Sequence, residues 1–97
     1  MTLEQVTDED VLYVRASDIR TKILQYLSGR PRDYVKSTEL AKAISEKPGT
    51  VSFHCKGLKQ HNLVDDQLAV GKRHIRITEK GTKVIKEVDK RQGGGRK

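Results

Sequence analysis

Residue types that carry covalent or metal chemistry are scarce in this chain, which has one cysteine and three histidines. The single thiol, Cys55, excludes an intrachain disulfide and a site built from several thiolates. On a helix Cys55 points about 100° away from His54, and neither these two residues nor His61 and His74 show the CxxC or HxxxH spacing of metal ligands. A GxSxG motif, a P-loop and a glycine-rich nucleotide fingerprint are missing as well. The sequence therefore predicts no enzymatic activity, no metal and no cofactor.

Cys55 leaves two interpretations open. Its spacing places it on the apolar face of a helix, which favours a small buried side chain, the usual behaviour of free cysteine. A redox sensor or an intersubunit disulfide is the alternative, although no neighbour in the sequence is placed to lower the pKa of this thiol.

Groups that bond phosphates and base edges concentrate between residues 50 and 60. Val51, Cys55 and Leu58 are spaced i, i+4 and i+7, so in a helix they share one apolar face. The remaining side chains of this segment are hydroxyls, an amide, cations, a histidine and one aromatic ring: Thr50, Ser52, Phe53, His54, Lys56, Lys59 and Gln60. Hydroxyls, amides and cations contact DNA phosphates and bases, so these residues are candidate DNA contacts.

A shorter helix is predicted just before this segment. Ser37 and Thr38 precede an apolar-periodic run, so a hydroxyl N-cap is expected there, and both residues are also candidate DNA contacts. Pro48 cannot continue the first helix, but its fixed φ suits the first turn of the next one. The second helix is therefore predicted at about 49–61, and the pair forms a helix-turn-helix whose second helix faces a DNA major groove.

A β-hairpin is predicted at about 64–78. Ile75 and Ile77 alternate with polar residues, which is the period of a half-buried strand. Gly71-Lys72 between two such runs predicts a two-residue turn with glycine first, so Lys72 and Arg73 are expected at the tip as DNA contacts.

Helices are also predicted at both ends of the chain. Asp8 is expected to cap a short helix, Ser17 a helix that ends near Ser28, and Thr78 a last helix over about 79–91. A short strand or extended link is expected at 33–36. Residues 1–7 are expected to be frayed and 93–97 to form a disordered basic tail, so that 1–92 is one domain.

Charge and composition narrow the class of partner. The net charge of +7 divides into −4 for the first ten residues and +11 for the rest of the chain. A basic body indicates a polyanionic partner, of which nucleic acid is the commonest, although solubility alone is the simpler explanation. No secretory signal and no apolar run of about 18 residues occurs, so a cytoplasmic protein without membrane contact is expected.

A small core suggests that the chain pairs with a second copy. Only 34% of residues are hydrophobic, and the aromatic residues are three Tyr and one Phe. Apolar stripes on the first and last helices are expected to exceed what the rest of the chain can cover. A homodimer is therefore predicted through five residues: Val11, Leu12, Val84, Ile85 and Val88.

Taken in order, these elements resemble winged helix-turn-helix DNA-binding regulators of the ArsR/MarR type, particularly archaeal-like members. The resemblance covers roughly residues 18–88 and rests on five short pieces: Thr38–Ala41, Thr50–His54, Leu58, Asn62–Val64 and Ile77–Gly81. It implies an α+β fold, mostly helical with a small antiparallel β-hairpin wing. It also implies a homodimeric transcription regulator that binds double-stranded DNA in a sequence-specific manner, with the wing on the backbone or in the minor groove. The contact positions of the resembled recognition helix correspond to Thr50, Ser52, Phe53 and Lys56.

One position departs from the resembled pattern. Phe53 stands where many members carry Arg or Gln, and a phenyl ring cannot make a bidentate contact to a base. It is expected to touch a thymine methyl or to pack against a neighbour. Two other functions stay open: a basic architectural protein that binds DNA without sequence preference, and a winged helix used only for protein contacts.

Overall fold

The computed structural model describes residues 6–93. Their elements follow in the order α1 (Asp8–Arg15), α2 (Asp18–Ser28), β1 (Val35–Lys36), α3 (Ser37–Ala43), α4 (Pro48–Gln60), β2 (Val64–Ala69), β3 (Lys72–Ile77) and α5 (Glu79–Gly93). The predicted α+β fold, mostly helical with a small antiparallel hairpin, is confirmed. Gly93 ends α5 rather than beginning a tail. The rest of the predicted basic tail, 94–97, lies outside the described residues, as do residues 1–5 of the segment that was expected to fray.

The N-termini of the outer helices are capped by hydroxyl side chains. At α1 the cap is Thr7 and not Asp8, because the Thr7 hydroxyl accepts a hydrogen bond from the Asp10 backbone N–H while the Asp10 carboxylate reaches back to Thr7. Thr7 therefore belongs to the capped start of α1, while the fraying expected for residues 1–7 stays a prediction. Ser17 caps α2 as predicted. Thr78 caps α5 as predicted, since its hydroxyl accepts from the Gly81 N–H at 2.9 Å.

Both helices of the helix-turn-helix end in the same way. Ser45 follows α3 at φ 60°, and Asn62 follows α4 at φ 64°. At both sites, the positive-φ residue and the residue after it donate their backbone N–H groups to carbonyls of the last helical turn. This arrangement is a Schellman motif. At the other end of α3 the N-cap is Lys36. The hydroxyl cap predicted at Ser37 and Thr38 is wrong, because both residues already belong to the helix.

The three strands form an antiparallel sheet in the order β1-β3-β2. Val35 is paired with Ile75, Val64 with Ile77, and the last β2 residue, Ala69, with Lys72. The two residues left in the turn are Val70 and Gly71, so the prediction of a Gly71-Lys72 turn is wrong by one residue. Both turn residues have positive φ, 52° and 71°, as a type I′ turn requires.

One hydrophobic core joins the helices to the inner face of the sheet. It includes the predicted α4 face, and it also contains four of the five residues predicted to pair subunits: Val11, Val84, Ile85 and Val88, each at most 1% exposed. Of the five, Leu12 alone is exposed, at 57%. The argument that these stripes need a second copy to cover them is therefore wrong, because α1, α2 and α5 pack on one another.

None of the helices within residues 6–93 combines the length and the apolar character needed to cross a membrane.

Candidate nucleic-acid interface

Helix α4 has a buried face and a surface face. Val51, Cys55 and Leu58 are at most 4% exposed and anchor the helix in the core, as the spacing predicted. On the outer side Phe53 is 70% exposed, and Lys56 is exposed one turn later. The Phe53 ring meets His54 edge-on, with centroids 5.3 Å apart. The exposed ring on a well-anchored helix is therefore available for contact with a partner.

The other predicted DNA contacts fall into two groups by exposure. Ser37, Thr50, Ser52 and His54 are half-buried. The exposed group is Thr38, Lys59, Gln60, Lys72 and Arg73. The structure brings three of these exposed residues together with Lys56. Lys56, Lys59 and Gln60 of α4 line a groove with Arg73 of the hairpin.

Asp66 ties the hairpin to α4 across this groove. Lys59 Nζ lies 2.6 Å from one oxygen of the Asp66 carboxylate, and Arg73 donates to the other oxygen. The hydrogen bond from Lys59 lowers the pKa of Asp66, and Arg73 adds to this against the effect of burial. Two of the predicted DNA contacts are therefore engaged with a carboxylate within the chain. No sequence pattern predicts this pairing, because Asp66 lies seven residues from each cation.

His54 is held in an uncharged state on the α4 flank. Burial lowers the pKa of His54, and the positive charge of Arg20 lowers it further, with Glu46 opposing. Among residues 6–93, the buried Nδ1 of His54 has no hydrogen-bond partner. In the free chain this side chain is therefore mainly an uncharged imidazole at neutral pH.

A tyrosine of α1 packs on α4 at a glycine. A Cβ added to Gly57 would lie 1.9 Å from the hydroxyl oxygen of Tyr13, so the tyrosine occupies the space that any larger residue would fill. The Tyr13 ring is itself sandwiched. His61 stacks on one side with centroids 4.0 Å apart, and the Arg20 guanidinium carbon lies 3.9 Å from the ring centroid. This stack fixes the C-terminal half of α4 against α1.

A buried carboxylate completes the attachment of α4. Asp10 is 5% exposed, and it lies 3.0 Å from His61 Nδ1 and 3.2 Å from Lys80 Nζ. It also accepts a hydrogen bond from the Thr7 hydroxyl at 2.9 Å. Burial alone would raise the pKa of Asp10, but the hydrogen bonds from His61, Thr7 and Lys80 outweigh it and the pKa is lowered. One side chain thus connects the start of α1, the end of α4 and the start of α5.

The surface beside α3 adds cations that the sequence analysis missed. Lys36 and Lys42 line a shallow depression with Thr38 and Glu39. Both lysines are exposed. The i, i+4 spacing of Thr38 and Lys42 was the available signal, because it places both on one flank of α3.

Cys55 is a buried side chain rather than a reactive one. It is 4% exposed, and burial raises the pKa of its thiol to about 12. A neutral buried thiol does not react as a nucleophile. Within residues 6–93 no group of three or more His, Cys, Asp or Glu side chains is arranged to hold a metal.

Comparisons with known proteins identify the fold. No family model matches the sequence. No curated protein matches it either. Among solved structures, a Staphylococcus aureus MepR–DNA complex superposes with a TM-score of 0.74 at 19% identity, over 91% of this chain and 73% of that chain.

Two further structures have the same arrangement. A homodimeric winged helix-turn-helix DNA-binding domain, Mb0332 from Mycobacterium bovis, described as a possible ArsR-family transcriptional regulator, superposes with a TM-score of 0.67 at 22% identity. It covers 91% of this chain and 77% of that one. The antimony-specific transcriptional repressor AntR gives 0.69 at 20% identity, over 90% and 78% of the two chains.

MepR is described as a transcription regulator and AntR as a transcriptional repressor, and Mb0332 as a possible regulator of the ArsR family. The predicted resemblance is thereby confirmed at the level of the fold, whereas its archaeal character stays a prediction. The chain has the winged helix-turn-helix fold, with α3 and α4 as the helix-turn-helix and the β2–β3 hairpin as the wing.

Proposed function

We propose that the chain is a transcription regulator that binds double-stranded DNA and recognises its sequence with α4 in the major groove. The observation that carries this proposal is the outer face of α4, where Phe53 and Lys56 are exposed on a helix whose opposite face is fixed in the core. An α-helix fits the major groove, where each base pair displays a distinct set of groups.

The outer face of α4 is chemically selective. Thr50 and Ser52 bond phosphates or base edges, and Lys56 reaches a phosphate or a guanine edge. Phe53 has no hydrogen-bonding group, so its specific partner in the major groove is the thymine methyl. We therefore expect the preferred sites to place a thymine opposite Phe53.

Phosphate contacts flank this helix on both sides. On the wing, Lys72 is exposed next to the turn, while Arg73 and Lys59 reach phosphates only in competition with Asp66. On the other side Lys36 and Lys42 lie beside Thr38, and Ser37 is in the first turn of α3. Contacts of this kind orient a protein on the duplex and make binding dependent on salt.

We further propose that two copies bind together. The Mb0332 domain described above is homodimeric, and two-fold symmetry would place two α4 helices about 34–36 Å apart on a palindromic site. Of the predicted interface residues, Leu12 is the one with its side chain available for a partner. Sedimentation of the free protein and of the DNA complex tests whether the protein is a dimer. A monomer under both conditions contradicts the proposal.

Selection of bound sequences from a random duplex pool tests the main proposal. The protein should bind the selected motif at least tenfold more tightly than random duplex. The affinity should fall steeply as the salt concentration rises, because binding releases counterions from the DNA. Phe53→Ala should change the preferred bases, whereas Lys86→Ala on the exposed side of α5 is the matched control and should leave the motif unchanged. Binding without a motif would indicate an architectural protein. No binding at about 50 mM salt would contradict the proposal and favour a protein-contact role.

A further inference from the structure

Exposed apolar side chains collect on the side of the molecule that is proposed to face DNA. Within residues 6–93 four large hydrophobic residues are exposed, and three of them belong to α4 or the wing. Besides Phe53, these are Leu68 at 70% and Val70 at 97% exposure, both at the end of the β2–β3 hairpin. The wing was expected to end in cations, yet its end is apolar.

Val70 is held in an unusual backbone conformation to form this tip. Its φ is 52°, in the left-handed region that glycine and asparagine adopt readily and that β-branched residues avoid. Asparagine at this position would suit a type I′ turn far better. A strained, almost fully exposed valine contributes nothing to the core, and strain of this kind is concentrated at sites that bind something.

The surroundings of the tip carry charges that match a nucleic acid. Lys72 is paired with Ala69 directly beside the turn, and Arg73 is the cross-strand neighbour of Leu68. Arg73 also connects through Asp66 to Lys59 on α4, so the tip is continuous with the groove beside that helix. An apolar end flanked by cations suits the minor groove, where apolar side chains insert between bases while cations hold the phosphates.

We infer that Val70 and Leu68 form an apolar wedge that enters the minor groove of the bound duplex, partly unstacks one base step and bends the DNA. This inference rests on the proposed function of α4. It assigns the wing a role in selecting deformable sequence, because pyrimidine–purine steps such as TA unstack most easily. The minor groove is about 6 Å wide, so the two side chains, rather than both strands of the hairpin, are the part that enters it.

A fluorescent duplex tests the wedge directly. The selected site is prepared with 2-aminopurine replacing adenine at each A·T position in the flank that the wing reaches, since this base becomes brighter when it is unstacked. Saturating wild-type protein should raise the emission at one step at least threefold, and dyes at the two ends should report a shorter end-to-end distance. The variant Leu68→Gln/Val70→Asn should lose most of both signals at saturation.

Two controls distinguish loss of the wedge from weaker binding and from unfolding. Lys72→Ala should weaken binding to every duplex several-fold while leaving the emission at saturation unchanged. The thermal midpoint of Leu68→Gln/Val70→Asn should equal or exceed that of the wild type, because asparagine relieves the left-handed conformation and Leu68 is exposed. A loss of signal in that variant is then not caused by unfolding.

The possible outcomes decide between the two proposals. If the wild type saturates its site without brightening or bending it, the wedge is overturned while DNA binding stands. If the variant keeps both signals, Leu68 and Val70 are not the inserted groups and the wedge is likewise overturned. If the variant shifts the sedimentation of the free protein, the tip contacts a second copy instead of DNA. If no duplex binds the wild type, the proposed function itself fails.

Discussion

Two sides of α4 lie in contrasting parts of the molecule. On the side of α1, Gly57 packs under Tyr13, and just beyond the helix the Asp10 carboxylate is bonded by Thr7, His61 and Lys80. Towards the wing, apolar side chains stand in solvent and cations share one carboxylate at the surface. The first region resembles the interior of a stable domain, whereas the second exposes groups that have no partner within residues 6–93.

This contrast shows where stability and binding are located. Buried apolar groups and paired charges stabilise the fold, but an exposed valine with a left-handed backbone does not. Substitutions in the core where α1 packs on α5 should therefore change the free energy of unfolding and leave the preferred DNA sequence unchanged. Substitutions on the exposed face of α4 and at the end of the wing should do the reverse.

Ile85→Asp should have the largest effect. The carboxylate would lie in the core beside Val84 and Val88, where an unpaired charge costs at least about 4 kcal/mol, enough to unfold most of the protein. Urea denaturation followed by circular dichroism measures this. Lys86→Asp, one residue along on the exposed side of α5, is the matched control and should change the free energy of unfolding by less than about 0.5 kcal/mol. A folded, monomeric Ile85→Asp protein of normal stability would instead support the subunit interface predicted from the sequence.

Gly57→Ala should have the next largest effect. The new methyl group collides with the Tyr13 hydroxyl, and the ring cannot turn away easily because it is stacked between His61 and Arg20. Overpacking costs about 1–3 kcal/mol, and the better helix propensity of alanine offsets at most about 1 kcal/mol of it. In a Tyr13→Phe background the same substitution should be close to neutral. Equal losses in both backgrounds would show that the tyrosine hydroxyl is not the obstacle.

Asp10→Asn should destabilise the protein at neutral pH by about 1–2 kcal/mol, because the hydrogen bonds from His61 and Lys80 lose their charged acceptor. The pKa of Asp10 is lower in the folded chain than its ordinary 3.8. Its contribution is therefore fully present above about pH 3.8 and is lost as the pH falls through the lowered value. Urea titrations from pH 7 to pH 2 should show a smaller acid-dependent loss in the variant. Glu9→Gln, exposed in the same helical turn, should keep the wild-type pH profile.

Asp66→Asn should have the smallest effect on stability and an opposite effect on binding. Exposed ion pairs contribute about 0–1 kcal/mol, so the unfolding midpoint should hardly move. Release of Lys59 and Arg73 should strengthen DNA binding by about threefold to tenfold at low salt and steepen the logarithmic salt slope by about one to two. Asp65→Asn, on the outer face of the same strand beside Tyr34, should leave the slope unchanged. An unchanged slope in Asp66→Asn would show that this carboxylate does not compete with phosphates.

Sequence periodicity predicted most of the architecture because its signals are local. The spacing of Val51, Cys55 and Leu58 fixed the buried face of α4, and Pro48 fixed its first turn within one residue. The hairpin turn was misplaced because the usual preference for glycine at the first turn position gave the wrong register. Val70 occupies a position that propensity assigns to Asn, Asp or Gly.

The contents of the candidate site were less predictable because they depend on contacts between distant residues. Asp10 meets His61 across 51 positions in the chain, and no periodicity encodes such a contact. The same holds for the pairing of Asp66 with Lys59, which turns a predicted free cation into a bridged one. The burial of Val84, Ile85 and Val88 was also missed, since α1 and α2 supply a cover that composition alone does not reveal.

The strand order β1-β3-β2 has a consequence for how the protein behaves at high concentration. Because β3 lies in the middle, both outer strands expose backbone groups to which another chain can add a strand, a common route to aggregation. The β1 edge is only two residues long, and β2 carries two adjacent aspartates, Asp65 and Asp66. Short edges and edge charges both disfavour such growth. Asp66 thus protects a sheet edge as well as bridging two cations, and light scattering of concentrated Asp66→Asn protein would reveal the second role.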